Sequence, residues 1–214
     1  MTPPAPPAPP PLPNERMAPT PRLRVLLAED DEDARATLAE LLAALGHSVV
    51  ATVATGNEAA SLVAGLAPDV VLLDVHMPDG TGTEAAAAIT AARPGTAVVL
   101  FTGDATLELT SDEVEKSGAH AVLPKPAPPP LIDSTLRLAV SRARESETAR
   151  KEAEKAQRLL EERKIIERAK GILMRRTGCS EQEAWRILQR SSQDRSVPMV
   201  DIARAVLESE RPPS

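Results

Sequence analysis

Glu29, Asp30 and Asp31 follow one short apolar run, Asp74 ends another, Thr102 ends a later one, and Lys125 comes just after the last. Carboxylates that converge repel one another unless a hard cation lies between them, and an oxygen-only donor set with no histidine pair suits Mg²⁺. A second group of chemistry-bearing residues lies towards the other end. There Arg163, Lys164, Arg168, Lys170, Arg175 and Arg176 are relieved only by Glu167, and Arg186, Arg190, Arg195 and Arg204 follow. A surface so nearly of one sign suits a polyanion.

The elements that must position the acidic group lie between Leu23 and Leu123. Short apolar runs alternate there with amphipathic stretches: RVLLA (24–28), SVVATV (48–53), DVVLLDV (69–75), TAVVLFT (96–102) and AHAVL (119–123). Strands this continuously apolar need both faces covered, so the alternation predicts a doubly wound α/β fold with a five-stranded parallel sheet. In such sheets ligands gather beyond the carboxyl ends of the strands, where these acids fall. The same acids also open a helix, since DDEDARATLAELLAALG reads as a helix closed by Gly46 with carboxylates at its positive end. Gly80 and Gly82 supply tight turns after Asp74, and the Lys125–Pro126 bond is a candidate cis peptide.

The ordered set AEDD, LLDVHMPDG, a strand-end threonine and LPKP resembles the receiver domain of bacterial two-component response regulators, over about residues 22–130. The resemblance implies a flavodoxin-like receiver in which Asp74 is the phosphoryl acceptor. It also implies that Glu29, Asp30, Asp74 and the backbone carbonyl of His76 hold Mg²⁺, that Thr102 and Lys125 bind the phosphoryl oxygens, and that a sensor histidine kinase is the donor. Val122 departs from the pattern, because receivers commonly carry Tyr or Phe three residues before the lysine and this chain has no tyrosine. The usual coupling between threonine and ring is thereby lost, which predicts output partly independent of phosphorylation. A phosphatase that uses Asp74 as a covalent nucleophile would need a second Asp at position 76, which is His.

In the basic half, Ile165, Ile166, Ala169, Ile172, Leu173 and Met174 step by three and four along one side of a helix. Gly178 stops that helix, and Ser180 with Glu183 forms a capping box for a second, carrying Ala184, Trp185, Ile187 and Leu188 inward. A third helix is expected from about Pro198 to Leu207. RKIIERAKGILM, the EAW at Glu183 to Trp185 and the later apolar helix resemble the ANTAR domain, an RNA-binding transcription antitermination module, over roughly residues 155–209. This implies RNA hairpins as partners, with Arg163, Lys164, Arg168, Lys170, Arg175 and Arg176 as contacts. Lys170, Arg175 and Arg176 are placed foremost, and Trp185 is assigned to the core.

Residues 131–160 contain neither Gly nor Pro and are rich in Ala, Glu, Arg and Lys, the composition of a long helix. Ala139, Ala143, Ser146, Ala149 or Arg150, Ala153, Ala156 and Leu160 form a narrow seam, predicting a coiled-coil homodimer. The expected divisions are a disordered Pro-rich tail (1–21), a receiver (22–130), a coiled-coil linker (131–160) and a small ANTAR helical bundle (161–209). The net charge of −6 conceals an acidic first part and a basic second. Cys179 stands alone, which excludes an internal disulfide and a cysteine-based zinc site and fits a reducing compartment. With no apolar run of transmembrane length, the expectation is a cytoplasmic protein with no membrane contact. The function expected is a phosphorylation-responsive switch, not an enzyme with turnover, that binds hairpins in nascent transcripts and promotes antitermination. The rivals are a DNA-binding response regulator and a protein-interaction output module, which salt dependence and nucleic-acid preference would separate.

Overall fold

The structure, a computed structural model, describes residues 21–78, 80–103 and 111–210. Most of the Pro-rich tail lies outside the described residues. Pro21, its last member, is held, because its carbonyl accepts a hydrogen bond from Arg137 at 2.8 Å.

Each apolar run forms a strand: β1 (Arg24–Ala28), β2 (Ser48–Val53), β3 (Val70–Asp74), β6 (Ala97–Thr102) and β7 (Ala121–Pro124). They pair in parallel in the order β2-β1-β3-β6-β7. Between β3 and β6 an unanticipated antiparallel pair, β4 (His76–Met77) and β5 (Gly80–Thr81), folds the loop after Asp74 back on itself.

Successive side chains of a strand point to opposite faces, so the continuous runs feed two cores. On one face Val25, Leu27, Leu72, Val99 and Phe101 pack with Leu42 of α1 (Glu32–Ala44). On the other Leu26, Ala28, Val71, Leu73, Val98 and Leu100 meet Ala59 and Val63 of α2 (Gly56–Leu66) and Ala86 and Ile89 of α3 (Gly82–Ala92). A short α4 (Ser111–Ser117) precedes β7.

The first core is completed by the start of α5 (Pro129–Thr177), through Ile132, Leu136, Ala139, Val140 and Ala143. The first unit therefore does not end at residue 130; it runs to Arg144. Full burial of Ile132 and Leu136 supplies about 1.5–3 kcal/mol each, more than a solvated spacer could offer. Ala139 and Ala143 thus face their own sheet and drop out of the expected dimer seam. From Ser146 to Leu160 the side chains are exposed apart from Glu147.

In the second unit, Glu145–Ser214, the end of α5 packs with α6 (Glu181–Arg195) and α7 (Met199–Glu208). Its core is small: Ala169, Leu188, Ile202 and Ala203, with Ile165, Ile166, Leu173, Met199 and Val206 against it. Gly178, at φ +69°, ends α5, and the Ser180–Glu183 capping box opens α6. Trp185 and Ile187, expected inside, are exposed along with Met174. Only Ala184 and Leu188, one turn apart, face inward from α6, and the side chains flanking them on the helix circumference cannot share that face.

Candidate functional sites

Four strand ends converge on the acidic cluster. Glu29 directly follows β1, Asp74 ends β3, Thr102 ends β6 and Lys125 directly follows β7. One oxygen from each of Glu29, Asp30 and Asp74 lies within 4.8 Å of the other two. Glu29 and Asp74 are 3% and 6% exposed, whereas Asp30 is open to solvent. Asp31 acts on its own helix instead, where its carboxylate caps α1 by accepting from the Ala34 N–H at 2.7 Å.

Lys125 bridges the buried pair. Its ammonium donates to Glu29 Oε2 at 2.6 Å, lies 3.1 Å from Asp74 Oδ2, and stands 5.0 Å from the centre of the Phe101 ring. The Lys125 backbone N–H donates to the Thr102 carbonyl at 2.6 Å, and the Lys125–Pro126 bond is cis. Burial pushes the Glu29 carboxyl above its ordinary value; the Lys125 hydrogen bond opposes this, and the nearby Asp74 charge adds to it. Three carboxylates against one ammonium leave a net negative, oxygen-only pocket, and a hard divalent cation fits that donor set.

His76 is exposed, and its N–H reaches Asp74 Oδ1 at 3.4 Å. Gly82 is needed for close approach and not for a turn, since a Cβ there would lie 2.3 Å from the Asp74 carbonyl oxygen and 2.7 Å from Val75 Cα. Gly80, at φ +144°, does serve the turn. Val122 is exposed on β7. Arg35 and Phe101 were not singled out in the sequence. Arg35 Nη1 donates to the carbonyls of Glu29 (2.7 Å) and Asp30 (3.1 Å), tying the β1–α1 loop to its helix. Its signal was a lone cation in an acidic first helix; that of Phe101 was the chain's single phenylalanine beside the strand-end threonine.

The cations of the second unit divide sharply. Arg163 and Arg168 are exposed and form no ion pair among the described residues. Lys164 pairs with Glu161 at 2.8 Å, Arg175 with Glu210 at 3.2 Å, and Arg176 donates to Ser209 Oγ at 3.1 Å. Lys170 is 5% exposed and donates to Glu167 (2.8 Å) and Glu181 (2.6 Å), with its ammonium 5.9 Å from the Trp185 ring centre. Those two carboxylates hold its ammonium above its ordinary pKa. Placed first among the RNA contacts from sequence, Lys170 instead clasps α5 to the start of α6. It shares the inward side of α5 with Ile166, Ala169 and Leu173, and the turn at Gly178 brings α6 back over it.

An acidic, lysine-bridged pocket at the carboxyl ends of a doubly wound parallel sheet is the build of a signal receiver domain. The family model described as response regulator receiver domain matches residues 25–137, and the ANTAR domain model matches residues 154–207. The chain belongs to the response regulators that join a receiver to an ANTAR domain. It is 38% identical over 189 residues to the transcriptional regulatory protein PdtaR of Mycobacterium tuberculosis, covering 87% of this chain and 90% of that protein. A protein-glutamate methylesterase/protein-glutamine glutaminase of Anaeromyxobacter dehalogenans is 38% identical over 123 residues, 36% of its length, through the receiver alone. Among solved structures, the signal receiver domain of a modulated diguanylate cyclase from Desulfovibrio desulfuricans G20 superposes with a TM-score of 0.53 at 25% identity, over 59% of this chain and 99% of that one. Among the described residues no helix is long and apolar enough to cross a membrane.

Proposed function

We propose that this chain is a phosphorylation-responsive regulator that binds RNA hairpins in nascent transcripts and promotes transcription antitermination. One juxtaposition carries the reading: a buried, lysine-bridged Asp74 on the same chain as an ANTAR-family unit whose Arg163 and Arg168 stand exposed and unpaired among the described residues.

Asp74 is the phosphoryl acceptor. Its carboxylate attacks the phosphorus of a phosphohistidine on a sensor histidine kinase; the phosphorus–nitrogen bond breaks and the imidazole leaves. Glu29, Asp30, Asp74 and the His76 backbone carbonyl would hold Mg²⁺, which when bound neutralises charge on the transferring oxygens. Lys125 keeps positive charge beside Asp74, and Thr102 binds a phosphoryl oxygen from the end of β6. The acyl phosphate on Asp74 decays slowly with water, so the chain acts as a switch and not as an enzyme on an external substrate. With Val122 offering no ring to move inward, output is only partly tied to phosphorylation.

A second copy of the chain pairs along the exposed stretch of α5, where Ser146, Ala149, Ala153, Ala156 and Leu160 form a seam and both Leu159 and Leu160 are about half exposed. Two linked basic modules then engage paired hairpins through effective concentration. The test is binding of the full chain to a two-hairpin RNA against duplex DNA competitor, with Mg²⁺ and an acyl phosphate present or absent. RNA-selective binding that strengthens on phosphorylation, and not in Asp74→Asn, is the expected result. Preference for duplex DNA would replace this reading with the DNA-binding one.

A further inference from the structure

The basic surface of α5 accounts for affinity towards a polyanion, yet a phosphate backbone carries no sequence. Choosing one hairpin from many requires contact with bases, and in RNA those bases are the unstacked ones of loops, read by aromatic or guanidinium planes and by amide edges. One face of α6 carries that set. Gln182, Trp185, Arg186 and Gln189 recur at intervals of three and four, all are exposed, and together with Lys170 and Glu181 they line a groove of about 460 Å³.

Trp185 is the anomaly that directs attention there. Large aromatics are mostly buried, yet this indole is 42% exposed while the unit's small core is closed without it. It is the chain's single tryptophan, there is no tyrosine, and the single phenylalanine, Phe101, is buried in the receiver. Trp185 is therefore the only large aromatic ring that this protein can offer a base.

Its surroundings are built. Lys170, itself almost fully buried, donates to both Glu167 and Glu181 and sets its ammonium over the indole. That ammonium cancels one of the two charges that would repel a phosphate near this groove, and Arg186, on the same face and in no ion pair among the described residues, offsets the other. Gln182 and Gln189 flank the ring by three and four residues and can each donate and accept at a base edge. Exposed aromatic, amides and an exposed guanidinium beside a lysine-clasped acid pair match a single-stranded base and its phosphate better than an apolar protein surface.

We propose that the Gln182–Trp185–Arg186–Gln189 face of α6 is the sequence-reading surface of the second unit, with Trp185 stacking on one unpaired base of an RNA loop. Resting on the RNA-binding reading above, the proposal assigns specificity to α6 and leaves Arg163 and Arg168 of α5 with the backbone. Lys170 is then a positioning residue that fixes the indole and touches no RNA.

Trp185 reports on itself, since the intrinsic fluorescence of the chain above its background comes from this one indole. The full chain is challenged with a two-hairpin RNA of constant stems and randomised loops, and the best-bound sequence is compared with the same stems joined as continuous duplex. The expected result is quenching of Trp185 by the selected hairpin and not by the duplex. An abasic substitution at one loop position should abolish the quench and weaken binding by about 5- to 150-fold, the range for losing one stacked base. Trp185→Ala should weaken the hairpin by the same factor and leave the duplex unchanged, Trp185→Phe should restore most of the preference, and Gln182→Ala or Gln189→Ala should change the base preferred at that position. Hairpin binding without quenching, or equal loss of hairpin and duplex in both Trp185 variants, overturns the base-reading face and leaves RNA binding standing. Failure of the unaltered chain to bind either RNA overturns both.

Discussion

Replacing Gly82 with alanine tests whether the loop after Asp74 is held by contact, as the geometry requires. An alanine Cβ would stand 2.3 Å from the Asp74 carbonyl oxygen, 2.7 Å from Val75 Cα and 3.1 Å from the Asp74 carbonyl carbon. All three are backbone atoms, so no side chain can swing aside. Reaching an ordinary contact demands a shift of about 1 Å between the start of α3 and the end of β3. Overpacking of this kind costs roughly 1–3 kcal/mol or more, and a displacement of about 1 Å at a reacting group costs on the order of a hundredfold in rate. Gly65, exposed near the end of α2, is the internal control. Nothing lies within 4 Å of a Cβ there, so Gly65→Ala should stabilise by about 0.5–1 kcal/mol. Because the only tryptophan lies in the other unit, the receiver is best followed by hydrogen exchange at the β3 amides, alongside phosphorylation by an acyl phosphate. A Gly82→Ala chain within about 0.5 kcal/mol of the unaltered one, phosphorylated at the same rate, would refute the close-approach reasoning.

Glu29 carries a pH dependence of definite sign. Its folded pKa is raised, chiefly by burial, so ionising it costs folding free energy; the penalty is absent below the usual carboxylate range and grows as pH rises through the raised value. Glu29→Gln should therefore stabilise the receiver at neutral pH, make no difference in acid, and weaken Mg²⁺ binding, all measurable by urea unfolding with and without the ion. Asp30→Asn, at the exposed corner of the same cluster, should weaken Mg²⁺ by at least about tenfold by calorimetry, with little change in stability. Arg163→Ala and Arg168→Ala should each lower the slope of log affinity against log salt by about one for a hairpin RNA. Arg175→Ala should lower it less, because that guanidinium is already engaged by Glu210. Leu159→Glu with Leu160→Glu should shift the chain from dimer to monomer in sedimentation while leaving the fold intact.

Much of this was legible in the chain itself, for local reasons. Strand runs such as RVLLA and SVVATV matched β1 and β2 to the residue, because a strand buried on both faces must be apolar throughout. The capping box at Ser180 and Glu183 and the stop at Gly178 depend only on neighbours within one turn. The order of Glu29, Asp30, Asp74, Thr102 and Lys125 could be read as a site because a parallel sheet delivers every strand's carboxyl end to one edge. The boundary between the halves fared worse. The break expected at residue 130 ignored that Ala139 and Ala143, read as part of a seam, could join Ile132 and Leu136 in the receiver's core.

What the sequence alone determined is the class of each half: the alternation of apolar runs, the acids at their ends and the basic amphipathic stretch are periodic or local, and no distant contact can alter them. Only the tertiary structure decided which charges are free. Lys170 and Arg168 lie two residues apart on one helix, yet one is buried between Glu167 and Glu181 and the other faces solvent. That difference arises where α6 returns over α5, as does the outward setting of Trp185. A residue's period around its own helix tells which way it points, and what it meets there depends on an element that arrives later in the chain.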